Sequence, residues 1–579
     1  MIYSKKYRIK FLFLFFSINL YAQEIWVEDN NSGEPLEGVA VFNQDKSRST
    51  ITDKYGKASL EIFSPNDSLN FQILGYENLK FKLFDLVEIS MKTLKMIPQN
   101  QILQEVFLSV ARSKTSANKI AEKVSIVSAK EIEKRSSLSG AEILEISPSV
   151  RIQRSQGGGG SPVLRGFEAN RVLLVVDGVR MNNAIYRSGH LQNAITVDPH
   201  NIERVEIVFG SSSVGYGSDA LGGVIHYYTK SPEINRENMF SHEFSSSFNT
   251  ANSSSVNNLT TSLSFKKWGS ITSFSYSNFG DILSGDNRIH NYSEWGLTNF
   301  YSENNRNNYS ASPTFNSTPS LQKNTGYNQY DLFQKFSIRL PKDMLLNLNL
   351  QYSSSSDIPR YDKLSEIKNG ALKFSEWYYG PQERIFISPQ LKFFLGKSWL
   401  KKGTITGAFQ KIKESRINRK FDELRRLYFN EKVNVFSLNA DFNGSGGSNI
   451  SYSYGLELTH NSIDSNAFSN DLVINNERIS NLINSQSIPS RYPDAGSSYS
   501  SYAAYFNFIY ELSEKLTFNA GIRITSTLLK ANWNDSTRVN KLLSSLNLKK
   551  EALTGTIALT YLLKEKWKLS SLISSGFRN

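Results

Sequence analysis

Few side chains in this sequence are placed to do chemistry. The six histidines are His190, His200, His226, His242, His290 and His460, and none falls in an HExxH pattern. No GxSxG nucleophile turn occurs, and no two carboxylates form a recognisable acid/base pair. His190 follows Tyr186 and Arg187 in the polar stretch NNAIYRSGH, and His290 precedes Tyr292, Trp295 and Tyr301. Aromatic rings beside a basic group can hold a bulky anionic ligand through cation–π and apolar contact. The same histidines would serve equally as solvated loop residues. Cysteine is absent, which excludes a disulfide framework, a thiolate metal site, a cysteine nucleophile and an acylated lipoprotein cysteine. Gly157 to Gly160 form a four-glycine loop with no Gly-Lys-Ser/Thr after it, so it is no phosphate loop. Gly215 and Gly217 miss the dinucleotide pattern, because Ala220 stands where its third glycine would be. These residues describe no enzyme and no cofactor site.

The chain has 579 residues, too many for one compact domain. Aromatics make up 12% and charged residues 21%. Mean hydropathy is −0.37, unlike that of a helical membrane protein. The formal charge of +13 is spread along the chain, apart from Lys5, Lys6, Arg8 and Lys10, and forms no nucleic-acid patch. Residues 1–22 read as a secretory signal peptide: a basic start, an apolar core over 11–20 and a small-residue cleavage site at Ala22. No later run of 18 apolar residues exists, so any membrane crossing must be made by strands.

Residues 23–98 read as a small β-sandwich, with short strands at 24–27, 38–43, 48–52, 58–63 and 69–74. Over 99–124 a polar linker contains Glu105, Val106, Phe107, Leu108, Ser109 and Val110, an extended run of β-formers. Such a run can add as a strand to a partner's sheet edge. Ser128 with Glu131 makes a capping box that starts a helix, and a second short helix follows over 138–144. The run 172–176 is apolar throughout, as in a strand buried on both faces, and glycine turns punctuate the region to Lys230.

From about Ser241 the pattern alternates with a period of two. Leu456 and Leu458 alternate with Glu457 and Thr459, and Ile522 and Ile524 with Arg523 and Thr525. Alternation alone fits a soluble sandwich or a barrel in lipid. Tight connections near 341, 397, 445, 514 and 565 alternate with long polar ones over 280–324, 356–382, 412–430, 463–497 and 530–549, as in outer-membrane barrels.

LRGF, VVDGVR, IERVEIVFG, YGSDALGGVI and Thr229-Lys230 resemble, in order and spacing, the plug domain of TonB-dependent outer-membrane receptors. With EPLEGVAV, TDKYGKASL and LGYE, residues 23–98 resemble the carboxypeptidase regulatory-like sandwich found in front of many such plugs, and Glu105 to Val110 resemble a TonB box. The resemblance implies a mainly β chain: the sandwich, an α/β plug over 125–230 and an antiparallel transmembrane barrel over 231–579. It implies the inner-membrane TonB complex as partner, outer-membrane lipid as surroundings, no nucleic acid, and localisation to the Gram-negative outer membrane. The implied cargo is an iron-siderophore or haem, the haem branch resembling NNAIYRSGHLQN most, with Tyr186, Arg187, His190, His290 and Trp295 as candidate ligand residues. A glycan or peptide importer of the same superfamily is a variant, and a passive porin or adhesin barrel is the alternative. Phe209 departs from the family, where many members carry Arg or Lys, so one plug–barrel salt bridge is in doubt. About thirteen barrel strands are countable against about 22 in plugged transporters, so a C-terminally truncated barrel is expected. An open wall would not insert stably, since its edges carry unpaired backbone groups.

Overall fold

The computed structural model of the protein describes residues 24–578, except 31–32, 65, 74–75, 77, 89–92, 98–105, 108–114, 117–118, 158, 187–192, 236–237, 289–290, 535–543 and 565–566. The chain divides into two compact units, Met1–Val106 and Phe107–Asn579.

The first unit contains two small sheets. One has the order Lys57–Ser59, Glu24–Asp29, Thr93–Met96; the other has Ser49–Ile51, Ala40–Asn43, Ser68–Gln72, Leu79–Lys82. Glu24–Asp29 alternates strictly, so Ile25 and Val27 point inward. They share one core with Val41, Phe71, Leu94 and Met96. The strand predicted at 58–63 is shorter, because the chain turns after Ser59 and sends Phe63 back into that core.

The second unit begins with the plug. Its central sheet has the order Lys123–Ser128, Ile202–Phe209, Gly223–Thr229, Val172–Val176, Val179–Arg180. Val172–Val176 is buried at every position and runs parallel to Gly223–Thr229, as its unbroken apolar run predicts. The capping box forms: Ser128 and Glu131 satisfy each other's backbone N–H groups and start the helix Ala129–Arg135. The second helix, Gly140–Leu144, is capped by Ser139 and buries Ile143 and Leu144 against the sheet.

Among the described residues, thirteen strands then pair in chain order: β1 (Met239–Asn249), β2 (Ser254–Ser264), β3 (Trp268–Phe279), β4 (Tyr327–Leu340), β5 (Met344–Ser355), β6 (Glu383–Lys397), β7 (Leu400–Lys420), β8 (Arg425–Ser445), β9 (Ile450–Asn475), β10 (Ser497–Glu511), β11 (Leu516–Asn532), β12 (Ser545–Lys564) and β13 (Trp567–Ser574). This wall has soluble-protein burial turned inside out. Leu456 is 60% exposed and Ile524 60%, while Glu457 is 4%, Arg523 1% and Thr525 2%. A sandwich would bury its leucines; here the apolar face points outward and the polar face inward, the pattern of a transmembrane barrel. No helix among the described residues is long and apolar enough to cross a membrane.

Two connections predicted as long loops are hairpins instead. β7 and β8 continue pairing up to Asn418↔Leu427, so most of 412–430 is strand. β9 runs on to Asn475 and pairs with Arg478–Ser487, which takes up much of 463–497. Cross-strand hydrogen bonds claimed these polar residues, which carry no apolar period to announce a strand.

Candidate functional site: the seam between plug and wall

The turn after Val172–Val176 is the plug's main contact with the wall. Val176 pairs with Val179 across Asp177 and Gly178, whose φ angles are +46° and +88°. Two left-handed residues make a tight hairpin turn, and Asp-Gly is a favoured pair for it. The turn projects the Asp177 carboxylate to the wall. Oδ2 accepts from Lys335 Nζ on β4 at 3.0 Å, Asn349 Nδ2 on β5 at 2.7 Å and Thr229 Oγ1 of the plug at 2.6 Å. Burial opposes charge on Asp177, but Lys335 and the Thr229 hydrogen bonds outweigh it and hold the carboxyl below its usual range. Gly178 O accepts from Asn439 on β8 at 3.1 Å, and Arg180 O from Gln410 on β7 at 2.9 Å.

A second contact is a chain of alternating charge. The Arg180 guanidinium donates to the carbonyls of Tyr216 at 2.5 Å and Ser218 at 2.8 Å, and to Asp219 at 3.2 Å. It also lies 3.6 Å from Glu457 of β9, which accepts from Arg523 of β11 at 3.0 Å. One buried wall carboxylate therefore faces a plug guanidinium and a wall guanidinium together. Removing one member would leave the others buried with their charge uncompensated.

Toward the long loops, Ala184 N donates to Asn461 of β9 at 3.1 Å, and Ile185 packs against Val433, Val435 and Ile463. Toward the short turns, Lys119 pairs with Glu511 at 2.6 Å. The carbonyls of Lys119 and Ile120 accept from Asn519 and Lys568, and the Ile120 side chain is buried. Discrete polar contacts hold much of the seam. Each neutral one contributes about 1 kcal/mol net, beside small apolar clusters such as Val179 with Phe386 and Ala408.

The structure sets the sequence candidates in different places. Tyr186 is buried in the plug core, and that burial pushes its phenol above the ordinary range, with the charge of Asp219 adding to it. Trp295 is 62% exposed in the connection between β3 and β4. Arg187, His190 and His290 lie outside the described residues. So do Glu105, Leu108, Ser109 and Val110 of the TonB-box-like run; Val106–Phe107 forms a two-residue strand. Phe209 is buried in the plug core, with Lys123 Nζ and the Arg165 guanidinium each 5.3 Å from its ring. The seam residues Lys335, Asn349, Glu457 and Arg523 were not singled out by sequence. Their signal is a charged or amide group on the polar phase of an alternating strand, which a solvated surface would share.

Residues 116–224 match the family model described as the TonB-dependent Receptor Plug Domain. A vitamin B12 transporter of Vibrio vulnificus is 41% identical over 110 residues, which is 19% of this chain and 18% of that protein. A hemin receptor of Yersinia enterocolitica is 39% identical over 107 residues, covering 18% of this chain and 15% of the receptor. These curated relatives are thus matched over less than a fifth of their length. Among solved structures, the ferric yersiniabactin uptake receptor FyuA of Yersinia pestis superposes with a TM-score of 0.55 at 14% identity, over 79% of this chain and 65% of that one. At that identity the likeness is one of fold, and it extends through the wall. The chain therefore carries the plug domain of the TonB-dependent receptors, set in a β-wall with the fold of that family's barrels.

Proposed function

We propose that this protein is a TonB-dependent outer-membrane receptor, importing a bulky iron-chelate or haem by energy-coupled transport. The observation that carries the reading is the inside-out wall enclosing a globular plug through paired charges, Lys335 to Asp177 and Glu457 to Arg180. The similarity of the plug region to that of a hemin receptor supports haem among the cargo classes. In this reading residues 1–22 are a signal peptide, 23–98 a periplasmic sandwich, 99–124 the linker, 125–230 the plug and 231–579 the wall. Glu105, Val106, Phe107, Leu108, Ser109 and Val110 give TonB a strand to pair with. The linker meets the plug where Lys119 and Ile120 are held at the short-turn end of the wall. A pull on the run would be delivered there, on the edge strand Lys123–Ser128 of the plug sheet. Arg187, His190, His290 and Trp295 would meet cargo from the outer side, and Tyr186 would position their loop from the plug core. A glycan or peptide cargo would use the same machinery.

The test is uptake by cells that lack their other iron and haem receptors. Cargo should enter only while the proton gradient is intact, and Val106→Pro should abolish entry, because proline removes a ladder donor. Entry unchanged by both treatments would mark a passive pore and overturn the proposal.

A further inference from the structure

Near the short helical turn Pro199–Asn201, the seam contains an acidic pair that the plug's other contacts leave unexplained. Asp198 of the plug caps that turn. Its Oδ1 meets His200 Nδ1 at 3.0 Å; its Oδ2 accepts from Asn201 at 2.8 Å and from Ser275 Oγ of β3 at 2.6 Å. Across the seam Asp331 of β4 is 6% exposed. Gln329 Nε2 is 2.9 Å from Asp331 Oδ2 and 2.8 Å from Ile195 O of the plug, tying the two bodies together beside the carboxyl. Two voids of about 20 and 10 Å³ are each lined by both Asp198 and Asp331. Each is the size of a single water, so little solvent is at hand to screen the two carboxylates.

The charges around this pair do not balance. Asp198 has His200, whose imidazole burial opposes but Asp198 outweighs, so it titrates above its usual range. Lys230 and Glu243 act on His200 with opposite sign. Arg384 of β6 lines the larger void, but its guanidinium is directed to Gln410 and Gln351. The other polar side chains lining the voids include Gln329, Gln351, Ser353, Thr229 and the phenols of Tyr327 and Tyr352, and none of them is a carboxylate, amine or guanidinium. Two buried carboxylates that line the same two water-sized voids, with one imidazole beside Asp198, cannot both remain ionised without strain.

We propose that Asp198 of the plug and Asp331 of the wall form a proton-holding latch: the plug sits tightly while the seam keeps its proton and loosens when that proton leaves. The sign follows from linkage. The seated state binds a proton that the separated carboxyls would release in their ordinary range, whereas the Asp198–His200 pair lies wholly within the plug and is kept when the plug leaves. Seating is therefore strongest in mild acid and weakens as pH rises and the carboxylate pair gives up that proton. Asp198, held below its usual range by His200 and Ser275 against the effect of burial, weakens the seam only in stronger acid.

The absence of native cysteine allows a direct test on the full chain in outer-membrane vesicles. Val256→Cys places a thiol on β2, buried at 2% beside Ile195 of the plug. Its maleimide labelling, corrected by an exposed Ser448→Cys control for thiolate formation, reports seam opening. Between about pH 6 and about pH 8.5 the corrected rate should rise by up to about tenfold per pH unit, the limit for one linked proton. Asp331→Asn, neutral and of the same shape, should flatten the profile at the slow rate. Asp198→Asn should flatten it too and covers the case in which the first variant does not fold. A flat profile in the unaltered background, or an unchanged slope in both variants, overturns the latch. The test needs neither cargo nor TonB, so its failure is separate from any failure of the transport reading.

Discussion

Arg523 of the wall lies flat against the backbone of Gly217 in the plug: a Cβ at that glycine would come within 2.8 Å of the guanidinium. Gly217 also has φ +77° and ψ −144°, a region closed to side chains. Gly217→Ala should therefore cost about 1–3 kcal/mol from backbone strain alone. Displacement of Arg523 from Glu457 would add to that. Calorimetry of the detergent-solubilised protein should show a lowered plug transition, and the nearby Ser218→Ala should leave it in place.

Lys335→Met removes the cation that faces Asp177 and leaves that carboxylate buried with neutral donors. Breaking a buried pair from one side costs about 3–5 kcal/mol. Amide hydrogen exchange over 172–180 should accelerate accordingly, and adding Asp177→Asn should restore most of the protection.

The same pair makes a pH prediction of opposite sign to the latch. The Asp177 carboxyl is lowered in the folded state, despite burial, by Lys335 and Thr229. Its contribution is fully present above the ordinary carboxylate value of about 3.9 and is lost as pH falls through its lower folded value. Exchange over 172–180 should rise in strong acid, and in the Asp177→Asn background that rise should be absent.

Leu456, 60% exposed on β9, lies on the outward apolar face of the wall, which the transport reading sets against lipid. Leu456→Lys should destabilise the inserted state by about 2–4 kcal/mol at mid-bilayer depth. Thr459→Ser, on the inner face, should change it by less than about 0.5 kcal/mol. Urea titration in vesicles distinguishes the two; equal effects would contradict the assignment of faces.

At the short-turn end two contacts differ in weight. Lys119 and Glu511 have side chains 40% and 31% exposed, so Glu511→Gln should cost about 1 kcal/mol or less. Ile120 is 1% exposed, so Ile120→Ala should cost about 2–5 kcal/mol. Limited proteolysis over 107–122 should respond strongly to the second substitution and weakly to the first, with the plug sheet unaffected by either.

How much of this was legible in the residues varies by element. Val172–Val176 announced a doubly buried strand because five consecutive apolar side chains leave no solvent face, and the structure buries all five. Ser128 and Glu131 announced a capped helix because the box is local chemistry, complete within four residues. The outer hairpins over 412–430 and 463–497 were read as loops, because their polar sequences carry no apolar period. The seam was hidden for a different reason. Lys335 and Asp177 are 158 residues apart, and nothing local to either marks the other.

Local pattern by itself determined the period-two wall, the capped helix after Ser128, the glycine turns of the plug and the motif order from LRGF to Thr229-Lys230, since each depends on neighbours within a few residues. Only the tertiary structure decided which face of the alternating strands points outward, because a leucine in every second place looks the same whether it borders a core or a bilayer. It also decided which of many polar side chains become the plug's fastenings. Glu457, Arg523 and Asp331 are ordinary polar-phase residues until the plug covers them; burial removes the water that would have screened their charges and makes each partner matter.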